Sequence, residues 1–202
     1  MNYIWDLDGT LFNSYPVITD STWAVLRRRR PSLTREEVRT RILRDSVAGY
    51  TREWAYELGE EFDILMAEYR QISEAHAGDI TLMPGAKEAL QKIKARGDRH
   101  FVYTHRGKTA VPVLKKLEIY DYFEDIVTSE AGFPRKPAPD AVNYLVEKHG
   151  LDRASTFYVG DRVLDMGCAA AAGVRGILFL PENTPVIPDG TESFTVTKLT
   201  DI

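Results

Sequence analysis

The sequence predicts an α/β protein, in which a core built on a parallel β-sheet carries an inserted all-helical domain. Short apolar segments rich in β-branched and aromatic residues recur along the chain, and helical patterns separate the later ones. This alternation is typical of a parallel sheet covered by helices on both faces. A block near the N terminus, residues 16–82, breaks the alternation because its patterns are helical throughout and include no convincing strand.

The predicted strands are five short apolar segments that each end in polar or small residues. They cover residues 3–5, 100–103, 125–128, 156–159 and 176–180. The tail that begins at Pro181 is rich in Pro, Asn, Asp and Gly, and a last strand is expected there around residues 194–196. Their alternation with helices makes these segments candidates for one parallel sheet.

Helices are predicted between the later strands, over residues 84–96, 108–117 and 138–149. The first of them carries apolar residues at helical spacing and stops at Gly97. The third has Pro139 near its start and Gly150 just past its end, which is the usual placement of these two residue types.

The helical block is predicted to be a small cap domain inserted after the first strand. Proline and glycine mark its borders, near Pro16 and at the pair Pro84 and Gly85. We therefore predict a core formed by residues 1–15 and 83–202, with a helical cap over residues 16–82.

Composition excludes several classes of protein. Of the 202 residues, 44% are hydrophobic and 28% are charged, which indicates a globular chain rather than a disordered one. The net charge of −4 gives no reason to expect nucleic acid as a partner, and no apolar run approaches the ~20 residues that span a bilayer. The single cysteine, Cys168, excludes an internal disulfide and fits a reducing compartment, so we expect a cytoplasmic protein, either monomer or homodimer.

Polar side chains follow the predicted strands at the points where the strands end. In chain order they are Asp6 with Asp8, then Thr104, then Lys136, then Asp161 with Asp165. Ligands of open α/β sheets bind beyond the carboxyl ends of the strands. These groups are therefore expected to meet at the carboxyl edge of the sheet, the side on which the strands end. Lys136 precedes Pro137, which favours an extended backbone at the lysine.

Several carboxylates in one crevice repel each other and are costly to bury unless a cation pairs with them. Oxygen ligands suit Mg²⁺, and a cation beside Lys136 would also hold a phosphoryl group. A carboxylate that attacks this group would form an aspartyl-phosphate. Gly9 removes a side chain where a phosphate must approach the backbone. Each element alone also has a structural explanation; Asp161, for example, could serve as the N-cap of a helix at Val163.

Four segments in this order resemble the motifs of the haloacid dehalogenase-like (HAD) superfamily of phosphohydrolases. They are DLDGTL at 6–11, VYT at 102–104, RKPAPD at 135–140 and VGDRVLD at 159–165. MPGAKEAL at 83–90 also resembles the point where such chains re-enter the core from a helical cap. The resemblance implies a Rossmann-like core, and it is closest to the branch of phosphoglycolate phosphatase and β-phosphoglucomutase.

The resemblance implies a role for each acid. Asp6 would be the nucleophile and a metal ligand. Asp8 would be the general acid and base, and its backbone carbonyl would also bind the metal. Asp161 would bind Mg²⁺, and Asp165 would support the ion through water or a hydrogen bond to another ligand.

The resemblance also implies how the phosphoryl group is bound. Thr104 would donate a hydrogen bond to its oxygens, together with backbone amides near Gly9 and His105. Lys136 would bridge the nucleophile and the phosphoryl group; it is preferred over the neighbouring Arg135 because the family pattern has lysine just before the proline.

The pair His105 and Arg106 departs from the family pattern, which often has Asn and Lys at these positions. Either side chain could contact substrate, and a surface turn is an equally open interpretation.

The implied activity is a Mg²⁺-dependent phosphatase that acts on a small phosphorylated metabolite, phosphoglycolate-like or a sugar phosphate. One alternative is a phosphomutase of the same branch, which returns the phosphoryl group to its substrate. Another is a dehalogenase, but those relatives lack the second acid of the first motif, so Asp8 argues against it. A third is a non-catalytic receiver-like module, against which the helical insertion and the DxDGT spacing both argue.

Selectivity for the substrate is expected to come from the cap. The segment GYTRE at 49–53 is flanked by helical patterns and is predicted to form a loop that resembles the substrate-recognition loop of this branch. Arg52 is then the candidate for binding a carboxylate or second phosphate at the non-reacting end of the substrate. The alternative is that Thr51 is a helix N-cap, with Arg52 and Glu53 solvated in the first turn.

Overall fold

The computed structural model describes residues 1–182 and 184–202, and the chain divides into two compact units. One unit comprises Met1–Asn13 and Thr81–Ile202, and the other comprises Ser14–Ile80. The division lies close to the predicted borders of core and insertion, and the action of the helical unit as a cap stays a prediction.

The α/β unit contains a six-stranded parallel sheet. In chain order, the strands of this unit are β1 (Asn2–Trp5), β2 (Phe12–Asn13), β3 (Thr81–Leu82), β4 (Arg99–Tyr103), β5 (Asp125–Val127), β6 (Thr156–Gly160), β7 (Arg175–Phe179) and β8 (Phe194–Val196). The sheet has the order β5-β4-β1-β6-β7-β8, and each neighbouring pair is parallel. The predicted fold class is confirmed, and each of the six predicted strands is present.

The three central strands of the sheet, β4, β1 and β6, determine where the predicted site residues lie. β1 lies between β4 and β6, with Trp5 opposite Val102 on one side and Val159 on the other. The next residue, Asp6, continues the pairing, because its N–H donates to the Val159 carbonyl over 2.8 Å. Residues that follow β1, β4 and β6 therefore emerge at the same edge.

Four α-helices belong to the described residues of the α/β unit. Their bounds are α5 (Ala86–Ala95), α6 (Ala110–Lys116), α7 (Asp140–His149) and α8 (Val163–Ala171). A hydrophobic core contains fully buried side chains of strands and helices, among them Ile4, Phe101, Leu145, Tyr158 and Leu178. This burial stabilises the sheet edge that carries the polar residues, since each such side chain contributes about 1.5–3 kcal/mol.

A two-stranded antiparallel ribbon, β2 with β3, stands apart from the main sheet. Phe12 lies opposite Leu82, and Asn13 lies opposite Thr81. The prediction that residues 16–82 contain no strand is wrong for this last pair of residues. Two residues are too few to show the alternation of apolar and polar side chains by which a strand is recognised.

The helical unit contains α1 (Tyr15–Leu26), α2 (Arg35–Asp45), α3 (Val47–Leu58) and α4 (Phe62–Ala75). Its own core includes Leu26, Val38, Ile42, Trp54 and Leu65. Among the residues that the structure describes, no helix in either unit is both long and apolar enough to cross a membrane.

The predicted loop at residues 49–53 is wrong, because these residues lie within α3. The break between helices falls earlier, at Ser46, whose hydroxyl accepts a hydrogen bond from the Gly49 N–H over 3.1 Å. Ser46 is therefore the N-cap of α3, and the alternative N-cap Thr51 is also wrong because Thr51 is a buried residue of the helix. Arg52 is exposed on α3, and its guanidinium lies 4.7 Å from the centre of the Phe62 ring.

Candidate active site

Three carboxylates converge at the carboxyl edge of the sheet. Asp6 follows β1, Asp161 follows β6, and Asp165 lies in the first turn of α8. All three are buried, and each offers an oxygen within 4.8 Å of the others. This arrangement is a candidate metal centre, because carboxylate oxygens are the ligands that hard divalent cations prefer.

Lys136 lies between two of these carboxylates. Its Nζ donates to Asp6 Oδ1 over 2.7 Å and to Asp165 Oδ1 over 2.8 Å. The ammonium also lies 5.0 and 5.2 Å from the ring centres of Tyr103 and Tyr158. Burial by itself lowers the pKa of Lys136, but the charges of Asp165 and Asp6 outweigh it and raise the pKa above its usual value. The lysine is therefore a fixed positive charge beside Asp6.

The surroundings of Asp6 make its carboxyl less acidic than usual. Burial is the largest cause; the charge of Lys136 lowers the pKa, the charges of Asp165 and Asp8 raise it, and together these effects raise the pKa of Asp6 to about 7. One ammonium is thus too little to keep the buried carboxyl as acidic as it is in water. A cation held by the three carboxylates would favour the ionised form, which is the form that can attack.

Gly160, the last residue of β6, allows Asp165 to reach the cluster. A Cβ at this position would lie 2.4 Å from the Cβ of Asp165, closer than any two such atoms can approach. Asp165 is held there because its Oδ2 accepts from the Arg162 N–H over 3.1 Å. The helix α8 begins after Arg162, so the alternative in which Asp161 is its N-cap is wrong. Sequence reasoning did not single out Gly160. The glycine directly before Asp161 in the segment VGD could have indicated that another side chain packs closely against the backbone there.

The turn after β1 holds a second residue that sequence reasoning missed. Thr10 is fully buried, and its hydroxyl donates to Asp161 Oδ1 over 3.3 Å. Gly9 has a φ of 85°, a backbone conformation that glycine adopts without strain. The Leu7 carbonyl accepts from the N–H groups of Thr10, Leu11 and Phe12, which closes the turn.

Thr104 lies directly after β4 and is buried. Its N–H donates to the Val127 carbonyl over 3.0 Å, and its hydroxyl oxygen accepts from the Arg106 N–H over 3.1 Å. The structure thus places Thr104 directly after β4, the strand that pairs with β1, at the end of the sheet where Asp6 follows β1.

Asp8 makes an ion pair with Arg106. The Arg106 Nε donates to Asp8 Oδ1 over 2.9 Å and to Oδ2 over 3.2 Å, while Nη2 donates to Oδ1 over 2.5 Å. Arg106 is buried, so the interpretation of this segment as a surface turn is wrong for it. Its partner lies 98 residues earlier in the chain, so no local pattern of residues could indicate the pair.

His105 faces the segment that carries Lys136. The Lys136 backbone N–H donates to His105 Nε2 over 2.9 Å, and Arg135 Nη2 lies 3.0 Å from His105 Nδ1. Burial, together with the charges of Lys136 and Arg135, lowers the pKa of His105 to about 3, so the ring is neutral at neutral pH. Arg135 itself is exposed, unlike Lys136. Arg52 belongs to the separate helical unit.

Comparison with known proteins gives a family match over most of the chain. A family model described as haloacid dehalogenase-like hydrolase matches residues 3–179. A phosphoglycolate phosphatase of Thiobacillus denitrificans is 32% identical over 178 residues, which covers 83% of this chain and 78% of that protein. A phosphoglycolate phosphatase of Rhodobacter capsulatus is 28% identical over 183 residues, which covers 87% of this chain and 82% of that protein.

Solved structures agree with this match. A hydrolase from Streptococcus pneumoniae TIGR4 is 31% identical with a TM-score of 0.65, covering 89% of this chain and 92% of that chain. CbbY from Rhodobacter sphaeroides, solved in complex with phosphate, is 17% identical with a TM-score of 0.78, covering 99% of this chain and 95% of that chain. The second likeness shows the fold alone.

Proposed function

This chain belongs to the haloacid dehalogenase-like hydrolases and is a phosphatase of that family, and we propose that it hydrolyses a small phosphorylated metabolite through a phosphorylated Asp6. The observation that carries the proposal is the buried group of Asp6, Asp161 and Asp165, with Lys136 bonded to two of its three members. The family match confirms the resemblance stated from the four motifs.

We propose Mg²⁺ as the cofactor. Asp6, Asp161 and Asp165 would hold it with carboxylate oxygens, together with the backbone carbonyl of Asp8. The chemistry of these donors fits a hard cation, as does the raised pKa of Asp6. When bound, the ion would supply positive charge to the phosphoryl oxygens and to the attacking carboxylate.

The chain's own residues then divide the reaction into two steps. In the first, an oxygen of Asp6 attacks phosphorus while the ester oxygen leaves and takes a proton from Asp8. In the second, Asp8 takes a proton from the water that attacks the aspartyl-phosphate, which releases phosphate and restores Asp6. Thr104, the backbone amides near Gly9 and His105, and Lys136 would hold the phosphoryl oxygens in both steps.

The substrate class is a small phosphate monoester, phosphoglycolate-like or a sugar phosphate. Its support is the name that the relatives carry. We propose that the helical unit acts as the cap and that exposed Arg52 binds the non-reacting end of the substrate. A cytoplasmic location, no nucleic-acid partner, and a monomeric or homodimeric state stay predictions.

The experiment that tests this function is a panel of phosphorylated metabolites assayed for phosphate release with Mg²⁺ and with EDTA. We expect repeated turnover that EDTA abolishes, and an Asp6→Asn variant that has lost turnover because the nucleophile is absent. Wild-type turnover by Asp6→Asn, or activity that EDTA leaves unchanged, would contradict the mechanism. One phosphoryl group trapped per chain without turnover would instead indicate a receiver-like module, and transfer to a second hydroxyl of the substrate would indicate a mutase.

A further inference from the structure

We propose that Arg106 is a positioning residue that holds the carboxylate of Asp8 in the orientation needed for proton transfer. The inference rests on the proposed function, in which Asp8 is the general acid and base. It assigns a role to a side chain that departs from the family pattern and that the motifs leave unexplained.

The contact between Arg106 and Asp8 fixes both the position and the plane of the carboxylate. Nε and Nη2 of one planar guanidinium both donate to the same carboxylate. A lysine in this place would supply one point charge and would leave the carboxylate free to rotate.

Arg106 is itself held from its other side. Its Nη1 donates to Thr109 Oγ1 over 3.0 Å, and its backbone N–H donates to Thr104 Oγ1 over 3.1 Å. The guanidinium also lies 5.9 Å from the centre of the Phe12 ring. An arginine restrained by these contacts transmits its restraint to Asp8.

Arg106 is more deeply buried than Asp8, as expected if Arg106 positions Asp8 and Asp8 exchanges the proton. The Arg106 side chain is 7% exposed, whereas the Asp8 side chain is 26% exposed. The arginine is therefore the buried member of the pair, and part of the carboxylate stays accessible to a leaving oxygen or a water. Ion pairs with a buried member are a weak source of stability, so stability alone does not account for this pair.

The test compares leaving groups under single-turnover conditions, in which the alcohol released on phosphorylation of Asp6 is measured by rapid quench. An alkyl phosphate needs a proton on its leaving oxygen, but p-nitrophenyl phosphate does not, because nitrophenolate is a stable anion. We expect Arg106→Met to slow release from the best alkyl phosphate of the panel by ~10-fold or more, and release of nitrophenolate by less than about threefold.

Further variants separate positioning from charge and from general damage. Arg106→Lys keeps the positive charge but loses the two-pronged hydrogen bonding of the guanidinium. We therefore expect it to slow release from the alkyl phosphate almost as much as Arg106→Met does. In an Asp8→Asn background, Arg106→Met should slow the alkyl phosphate no further, because its effect acts through Asp8. Arg99→Lys is the matched control, since Arg99 makes the same kind of fork with Glu124 at the opposite end of β4.

Equal losses on the two esters, a full effect in the Asp8→Asn background, or no loss at all would each overturn the positioning role. If Arg106→Met does not fold, as judged by its melting temperature, the same comparisons with Arg106→Lys decide. Failure of the proposed function would look different, because wild-type protein would then release no alcohol from either ester, or Asp6→Asn would still do so.

Discussion

Lys136 and Arg135 are adjacent bases with opposite surroundings. Lys136 is buried between Asp6 and Asp165, whereas Arg135 is exposed and faces His105. The family pattern alone favoured Lys136, and the structure supplies a physical reason, since the Lys136 ammonium donates hydrogen bonds to both Asp6 and Asp165.

Replacement of Lys136 by alanine should lower kcat by orders of magnitude, because a buried positive charge beside the proposed nucleophile Asp6 is lost. Removal of one partner from a buried ion pair also costs about 3–5 kcal/mol, so the free energy of unfolding should fall as well. Steady-state kinetics on the best substrate and urea titration measure the two effects. Arg135→Ala is the control and should change kcat little; a larger loss for Arg135 than for Lys136 would show that the third motif is displaced by one residue.

Sequence reasoning at the residue scale identified acids whose strand context could be read locally, such as Asp6 and Asp161. It could not identify partners that only the fold brings together. Thr10 bonds to Asp161 from 151 residues away, and Arg106 bonds to Asp8 from 98 residues away. Gly160 differs from both, because its role depends on the space that Asp165 occupies and not on a bond.

At the scale of elements, the strands were predicted better than the joints between helices. Buried strands such as β4 and β6 are continuous apolar runs with polar ends, and such runs are visible in a sequence. The joint between α2 and α3 is a single residue, Ser46, at a φ of 72°. The loop was predicted at residues 49–53 because helical patterns flank this segment, but α3 runs through it and includes Gly49 in its first turn. One glycine costs a helix only about 1 kcal/mol, so it does not prevent the helix from forming.

Arg52 lies on α3 and not in a loop, and from this position we still predict that it binds the substrate. Because its guanidinium is exposed on a regular helix and stacks on Phe62, it is available to bind an anionic group. Arg52→Ala should lower kcat/KM for the physiological substrate by ~10-fold or more, through loss of one charge-assisted hydrogen bond. Activity on p-nitrophenyl phosphate, which has no second anionic group, should hardly change. Equal losses on both substrates, or none on either, would remove Arg52 from the site.

At the scale of the whole molecule, His100 links the stability of the fold to pH. Trp5 Nε1, which can only donate, bonds to His100 Nδ1 over 3.0 Å, so His100 Nε2 carries the proton and donates to the Leu90 carbonyl over 3.2 Å. Burial lowers the pKa of His100 to about 4, below the value of ~6.5 in an unfolded chain. The folded protein therefore contains a neutral imidazole at neutral pH.

Between these two pKa values the unfolded chain binds the extra proton, so the stability contributed by His100 is complete above pH ~6.5 and is lost as pH falls toward 4. The free energy of unfolding should fall by up to about 1.4 kcal/mol per pH unit in this window. Urea titrations at several pH values, on wild type and His100→Gln, isolate the effect. The raised pKa of Asp6 acts in the opposite direction, and the comparison of the two proteins cancels it. Parallel pH profiles for wild type and variant would contradict the prediction.

The ribbon of β2 and β3 also bears on which parts of the sequence can change during evolution. It pairs Phe12 with Leu82 and Asn13 with Thr81, so the two ends of the intervening segment are fixed side by side within the α/β unit. The entropy of closing a segment between fixed ends rises by only about 0.6 kcal/mol for each doubling of its length. We therefore expect insertions, deletions and replacements between these ends to leave the register of the main sheet unchanged. Heritable variation can accumulate in the inserted helices while the acids at the sheet edge keep their places.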